Sequence, residues 1–292
     1  MRLSLLVTTF DRPDALACVL ASIERQSHLP DEVIIADDGS GPSTRRVIED
    51  FERRLRPESI SVHHAWQRHD GPRVGRARNV GISMASGDYL VQIDGDMMLH
   101  PQFIADHVRA ARPGCWVQGT RILLDEAGTR EVIVKNEIAV ADPRSSITES
   151  GSSVTQGPRP FGFFSRGIGM KRRAYTIHSP VAATLFRRAA NAFIAIKGCN
   201  QGFWRADLER VNGYNEAMTG WGAEDKELAA RLIHAGVRHT TLLFGGIAYH
   251  LHHEPAPRDR QAINEAILRE TLKLRCVRCR IGLDAHRPAV TS

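Results

Sequence analysis

Short apolar runs alternate with amphipathic stretches through the first third of the chain. Residues 3–9 form an apolar, β-branched run, Val33-Ile34-Ile35-Ala36 a second, Ile60-Ser61-Val62-His63-His64 a third and Tyr89-Leu90-Val91-Gln92-Ile93 a fourth. Each has strand length and borders on turn-forming residues, which predicts strands. Between them lie helical segments. The first opens at Pro13 and Asp14, which suit a first turn and its positive dipole end, and runs to about Gln26. The others cover Ser43 to Arg54 and Arg76 to Ala85. The β-α-β-α-β-α-β order implies an α/β fold with a mainly parallel, doubly wound sheet, whose ligands collect at the carboxyl ends of the strands. Chemistry is therefore expected after residues 9, 36 and 93.

Further along, the pattern predicts a helix near 101–111 and strands at Trp116–Leu123 and Glu131–Val134. Pro143 to Pro160 is rich in Ser, Gly, Thr and Pro and reads as a long loop. The stretch Pro143 to Arg173 is a candidate lid that orders over a ligand. Regularity returns at Ala192–Ile196, then in a helix over Lys226–Ala235, a strand over Thr240–Tyr249 and a C-terminal helix from Ala262 to about Arg280. No internal repeat is visible.

The chain has 292 residues, 42% of them hydrophobic, enough to bury a large α/β core. No stretch approaches the roughly 18 consecutive apolar residues of a membrane span, and the N-terminus is too short and too β-branched for a signal peptide. Five cysteines, at 18, 115, 199, 276 and 279, form no disulfide framework, so the expected home is a reducing cytoplasm. Cys276-x-x-Cys279 has no second pair and reads as two incidental thiols rather than a zinc or redox site. The net charge of +6 calls for an anionic partner, with cations concentrated at Arg166 to Arg173 and at Lys273 to Arg280. Nucleic acid is a poor match, because its signature is interleaved aromatics and cations or a recognised binding fold, and only 6% of residues are aromatic. An anionic ligand, or peripheral contact with the inner face of the plasma membrane through residues 262–280, remains open.

Four groups of residues carry candidate chemistry. Asp94-Gly95-Asp96 delivers two carboxylates at the exit of a strand, where they repel unless a cation or proton neutralises them; a solvated turn is the bland alternative. Thr9-Phe10 and Asp37-Asp38 end two strands that would lie side by side; the aspartates could receive a ring N–H or simply cap the next helix. Arg76-Ala77-Arg78-Asn79 puts cations and an amide on one helical turn, suited to a nucleotide diphosphate or to plain packing. Gly220-Trp221-Gly222-Ala223-Glu224-Asp225 opens a helix with two acids kept ionised by its dipole, beside a flat indole on which a sugar could stack. Beyond these, His250, His252 and His253 offer imidazoles for a divalent ion whose other ligand would be Asp96. In a regular strand His250 and His252 would share one side and His253 the other.

In this order the pieces resemble nucleotide-sugar glycosyltransferases of family 2 with the GT-A fold. Gly198-Cys199-Asn200, Gly220 through Asp225, Ala248-Tyr249-His250 and Glu254-Pro255 resemble the galactosyltransferase-type segment of chondroitin polymerases and β-1,4-galactosyltransferases. The resemblance covers about residues 1–258 and implies a nucleotide-binding half, 1–118, an acceptor-binding and catalytic half, 119–258, and a helical extension, 259–292. It implies that Thr9, Phe10, Asp37 and Asp38 hold the base and that Asp94, Gly95 and Asp96 serve ribose and metal, while Arg76 and Asn79 are candidates for the diphosphate by their own charge and amide. It also implies that His250 completes a Mn²⁺ or Mg²⁺ site, with His252 and His253 as alternates, because the Tyr-His-x-Glu-Pro run is stretched here. Asp225 matches the catalytic base and Glu224 its partner at the acceptor hydroxyl, with Trp221 and Gly222 contacting the acceptor. Retaining relatives carry asparagine at the second acid, so Asp225 favours inversion.

The implied partners are a UDP-sugar donor and a saccharide or lipid-linked saccharide acceptor, in polysaccharide or lipopolysaccharide assembly. A retaining transferase is the near rival. A sugar nucleotidyltransferase is more distant, because the first loop, Thr8-Thr9-Phe10-Asp11-Arg12-Pro13, contains no glycine.

Overall fold

The strand β1 (Leu3–Thr9) is buried at every residue, as is β2 (Glu32–Asp37), because helices cover both faces of the sheet they share. The computed structural model describes residues 1–141, 176–186, 188–190 and 196–286. Helix α1 (Pro13–Ile23) joins these strands, and α2 (Pro42–Leu55), β3 (Ser61–Trp66), α3 (Val74–Met84), β4 (Tyr89–Asp94) and β5 (Met97–Leu99) follow. Next come α4 (Phe103–Ala110), β6 (Cys115–Gln118), β7 (Thr120–Leu123), α5 (Glu126–Ala141), α6 (Pro180–Leu185) and β8 (Arg188–Ala190). The last elements are β9 (Asn200–Trp204), α7 (Arg205–Val211), α8 (Glu224–His234), β10 (Arg238–Thr241), β11 (Ile247–His250) and α9 (Gln261–Leu274).

The main sheet runs β3-β2-β1-β4-β9-β6-β10-β8. Strands β3, β2, β1 and β4 are mutually parallel, β9 is antiparallel to both β4 and β6, and β10 is parallel to β6. One face packs on α1, α2 and α4 through Leu16, Leu20, Phe51 and Phe103. The other packs on α3, α7 and α8 through Ile82, Leu208 and Leu228. A second sheet, β5-β11-β7, stands beside the first.

Four sequence expectations are revised. The strand foreseen at Trp116–Leu123 breaks at Gly119 into β6 and β7, which enter different sheets; a Cβ on Gly119 would come within 2.4 Å of Asn200 and 2.5 Å of the Gly246 carbonyl. The strand foreseen at Glu131–Val134 is part of helix α5. Asp125 caps its start by accepting from the Gly128 amide, and the pairs Glu126–Arg130 and Glu131–Lys135 are spaced i,i+4. Thr240–Tyr249 divides into β10 and β11, with Phe244 and Gly246 at positive φ between them. Helix α9 stops at Leu274, because Arg275 is left-handed (φ 51°) and the Arg275 and Cys276 amides bond back to Leu272 and Thr271. The cations from Lys273 to Arg280 therefore share no helical face. The candidate lid, the Arg166–Arg173 cluster and residues 192–195 lie outside the described residues. No helix among the described residues is long and apolar enough to cross a membrane.

Candidate active site

β4 ends at Asp94, and Gly95 turns the chain out of the main sheet toward β5. The Gly95 amide donates to the Thr8 carbonyl at 2.6 Å, and a Cβ on Gly95 would lie 3.0 Å from that oxygen and from the Thr9 side chain. The antiparallel register sets Met97 opposite His250, which brings His250 to Asp96 with Nε2 3.7 Å from Oδ1. β11 ends there. The Leu251 amide donates to the Asp96 carbonyl and the His252 amide to Thr129 Oγ1, so the chain bends and returns His253 to within 3.3 Å of Asp96 Oδ2. Asp96, His250 and His253 offer ligand atoms all within 4.8 Å of one another. The expected pairing of His250 with His252 fails because it required a regular strand through His253, and the strand stops three residues earlier.

Burial is the largest influence on this cluster. It raises the Asp96 carboxyl despite the nearby His253 and Arg12, and with Arg121 and His253 it pushes His250 down to about 4. His250 is then a neutral imidazole at physiological pH, the form that binds metal. Asp96 Oδ1 is buried without a hydrogen-bond partner, while Oδ2 accepts from Arg12 Nη1 at 3.1 Å. An orphaned carboxylate oxygen beside two imidazoles is a donor set that fits a transition-metal dication such as Mn²⁺ better than Mg²⁺, which takes oxygen ligands.

The second centre lies where α8 begins. Gly220, Gly222 and Ala223 all have positive φ, and Glu224 and Asp225 follow in the first helical turn. Asp225 Oδ2 accepts from the Gly198 amide at 2.7 Å, and Oδ1 accepts from Arg78 Nη1 at 2.9 Å. Arg78 Nη2 donates to Asp94 Oδ1 at 2.9 Å, and its guanidinium lies 5.0 Å from the centroid of the Tyr214 ring. Arg78 is buried; burial opposes its charge, but Tyr214, Asp225 and Asp94 more than compensate. Burial raises Asp225 against the pull of Arg78. Burial first, and then the Asp225 charge, pushes the Glu224 carboxyl up to about 7. Glu224 Oε2 accepts from the Gly222 amide at 3.1 Å, while Trp221 is 45% exposed.

Beyond the ends of β1 and β2, Phe10 is half exposed and stacks on His69, with centroids 4.3 Å apart. Asp37 and Asp38 are buried and engaged with protein groups. Asp37 accepts from the Gly39 and Ser40 amides and contacts His64 at 2.8 Å, whereas Asp38 accepts from Gln67 Nε2 and the Arg73 amide. The Thr9 carbonyl takes the Asp38 amide. A cleft of about 680 Å³ opens beside them, lined by Trp66, Gln67, His69, Arg73 and Arg76 among others. Asn79 is the clear departure from expectation. It is fully buried, donating to the Tyr214 carbonyl and Glu216 and accepting from the Tyr214 amide, so it locks two segments together and has nothing left for a diphosphate.

Arg78, not Arg76 or Asn79, is the residue of this helix that joins the candidate centres, and its partners are protein carboxylates. A signal existed: Gly75, Arg78 and Ile82 are spaced i, i+3, i+7 on one buried stripe, and a cation in such a stripe demands acidic partners.

Residues 4–192 match glycosyl transferase family 2. The chain belongs to that family. Residues 186–254, which hold Gly198, Trp221, Asp225 and His250, match the N-terminal domain of galactosyltransferase. Hyaluronan synthase of Pasteurella multocida is 27% identical over 267 residues, covering 90% of this chain and 26% of that protein. Validoxylamine A glucosyltransferase of Streptomyces hygroscopicus subsp. limoneus is 29% identical over 241 residues, covering 80% of this chain and 48% of that protein. The chain thus spans about a quarter and about half of these relatives' lengths. A crystal structure of GalNAc-T7 with UDP, GalNAc and Mn²⁺ superposes with a TM-score of 0.62 at 13% identity, over 93% of this chain and 48% of that one. The glycosyltransferase has the GT-A fold, as its family motifs imply.

Proposed function

We propose that this glycosyltransferase moves a sugar from a UDP-sugar to a saccharide hydroxyl in polysaccharide or lipopolysaccharide assembly, with inversion at the anomeric carbon. The observation that carries the reading is the position of Asp225, anchored by the Gly198 amide and tied through Arg78 to Asp94. A proton acceptor and the first acid of the D-x-D turn thereby belong to one ionic network.

Asp225 takes the proton of the acceptor hydroxyl as that oxygen attacks C1 from the face opposite the diphosphate. The C1–O bond to the diphosphate breaks and its electron pair leaves with UDP. One displacement inverts once, so no separate nucleophile is needed. Each oxygen of a carboxylate accepts two hydrogen bonds, so the contacts with Gly198 and Arg78 leave capacity for the acceptor. Burial raises the Asp225 carboxyl, against the pull of Arg78, and makes it a stronger base than an ordinary aspartate. Asp96, His250 and His253 would hold a divalent cation, Mn²⁺ or Mg²⁺, whose contribution is to screen charge on the departing diphosphate. Phe10 and the cleft bordered by Arg76 receive the nucleotide; Trp221, Gly222 and Glu224 face the acceptor. The UDP and Mn²⁺ of the GalNAc-T7 structure favour this donor and ion, and the name hyaluronan synthase favours a polymeric acceptor. The five free cysteines support a reducing, cytoplasmic setting.

A screen of UDP-, GDP- and dTDP-sugars for nucleotide release with Mn²⁺, followed by NMR of the product anomer, tests the reading. Preference for a GDP-sugar would overturn the donor, and retained configuration the mechanism. One observation favours a variant in which Glu224 is the base, because its carboxyl titrates near 7. Comparing Glu224→Gln with Asp225→Asn decides between them.

A further inference from the structure

Two arginines beside the Trp221 turn lack an acidic partner among the described residues. Three other cations around the site have one: Arg78 bridges Asp94 and Asp225, Arg12 pairs with Asp96, and Arg76 approaches Glu216. Arg258 instead lays its guanidinium over the Trp221 ring, 4.8 Å from the centroid. The Nε of Arg260 is buried without a hydrogen-bond partner, and the aliphatic part of that side chain packs so closely on Gly220 that a Cβ there would lie 2.7 Å from its Cγ. Asn264 fastens the same turn by donating to the Thr219 carbonyl at 3.0 Å. Two guanidinium groups are thus held against the turn that leads into Glu224 and Asp225.

We propose that Trp221, Arg258 and Arg260 form an acceptor subsite for a negatively charged sugar, one bearing a carboxylate or a sulfate. The inference deepens the glycosyl-transfer reading and rests on it. An anionic acceptor approaching Glu224 and Asp225 meets like charge, and unpaired cations at the entrance offset that repulsion. A guanidinium resting over an indole face still has N–H groups free at its edge, which suits it to grip a planar carboxylate. The exposed part of Trp221 offers an apolar surface to the ring of the same sugar.

The test uses the whole protein, Mn²⁺ and the donor that gives nucleotide release, with acceptor oligosaccharides that differ only at the terminal unit. That unit is glucuronate, a sulfated glucose or glucose. Wild type is expected to favour a charged terminus over glucose by at least about fivefold in kcat/KM, mainly through KM, with the preference shrinking as salt is raised. The uronate and sulfate arms show which anion is preferred. Arg258→Gln should bring the ratio close to one, and Arg258→Lys should keep part of it. Isothermal titration of the same oligosaccharides into the protein loaded with UDP and Mn²⁺ reads the subsite without turnover. Equal use and equal binding of charged and neutral acceptors, or a ratio that Arg258→Gln leaves intact, would overturn the subsite. Nucleotide release from no donor at all would count against the glycosyl-transfer reading itself, and the titration would still judge the subsite.

Discussion

Asp225 and Gly198 are in direct contact: the Gly198 amide donates to Oδ2 at 2.7 Å, and a Cβ added to Gly198 would fall 1.9 Å from Oδ1. A side chain at 198 therefore has to expel the Asp225 carboxylate. Gly198→Ala is expected to lower kcat by about a hundredfold, the scale that follows from misplacing a catalytic group by about an ångström. UDP affinity with Mn²⁺ should stay within a few-fold. Steady-state kinetics beside UDP titration checks this, and unchanged turnover would remove the close approach from the mechanism.

Asp225→Asn keeps the hydrogen-bonding shape but cannot accept a proton. Transfer should fall by about a thousandfold or more while donor binding persists, since general-base catalysis contributes roughly 10²–10⁴. Glu224→Gln should cost less. If the two losses are reversed in size, Glu224 is the base.

Arg78→Met leaves Asp94 and Asp225 as partly buried acids facing each other without their shared cation. Removing one partner of a buried pair costs about 3–5 kcal/mol, so urea unfolding should show a loss of at least about 3 kcal/mol. Arg78→Lys should recover little, because an ammonium cannot serve two carboxylates in the geometry of the fork. A wild-type unfolding midpoint in Arg78→Met would mean that the bridge does not stabilise the fold.

The three histidines should separate on metal titration. His250→Ala and His253→Ala are each expected to weaken Mn²⁺ binding at least tenfold, whereas His252→Ala, whose backbone rather than ring is engaged, should not. Calorimetry with Mn²⁺ alone distinguishes them; a loss confined to His252→Ala would refute the cluster.

Glu224 gives a pH signature. Its folded carboxyl titrates near 7 against an ordinary value of 4.5, so between those pH values the folded chain holds more proton than the unfolded one. The stability contributed by Glu224 is therefore greatest at acid pH and falls as pH rises toward 7. Glu224→Gln should melt a few degrees higher than wild type at pH 7.5, with the gap closing below about pH 4.5. A constant difference across this range would show that Glu224 is not displaced.

Much of the first 118 residues was readable along the chain because β1, β2 and β4 are covered on both faces and so appear as near-continuous apolar runs, each ending in its turn residues. The later strands were not, because β6 and β7 are separated only by Gly119, and β10 and β11 by a five-residue turn through Phe244 and Gly246, where Gly119 and Gly246 let one backbone pass close to another. Helix α5 carries the β-branched run Val132-Ile133-Val134, which favours a strand locally, but its i,i+4 pairs Glu126–Arg130 and Glu131–Lys135 are the helical signal in the same stretch.

The same division holds at the site. Residue order alone brought out the acids after β4, the acidic pair at the start of α8 and the histidine group, since carboxylates and imidazoles at element ends are local features. Which of them meet was set by packing: the β5–β11 register brings His250 to Asp96, the bend after His250 returns His253 rather than His252, and burial turns Arg78 into a bridge and Asn79 into a lock. Those choices depend on contacts between residues far apart along the chain, and short-range spacing carries no information about them.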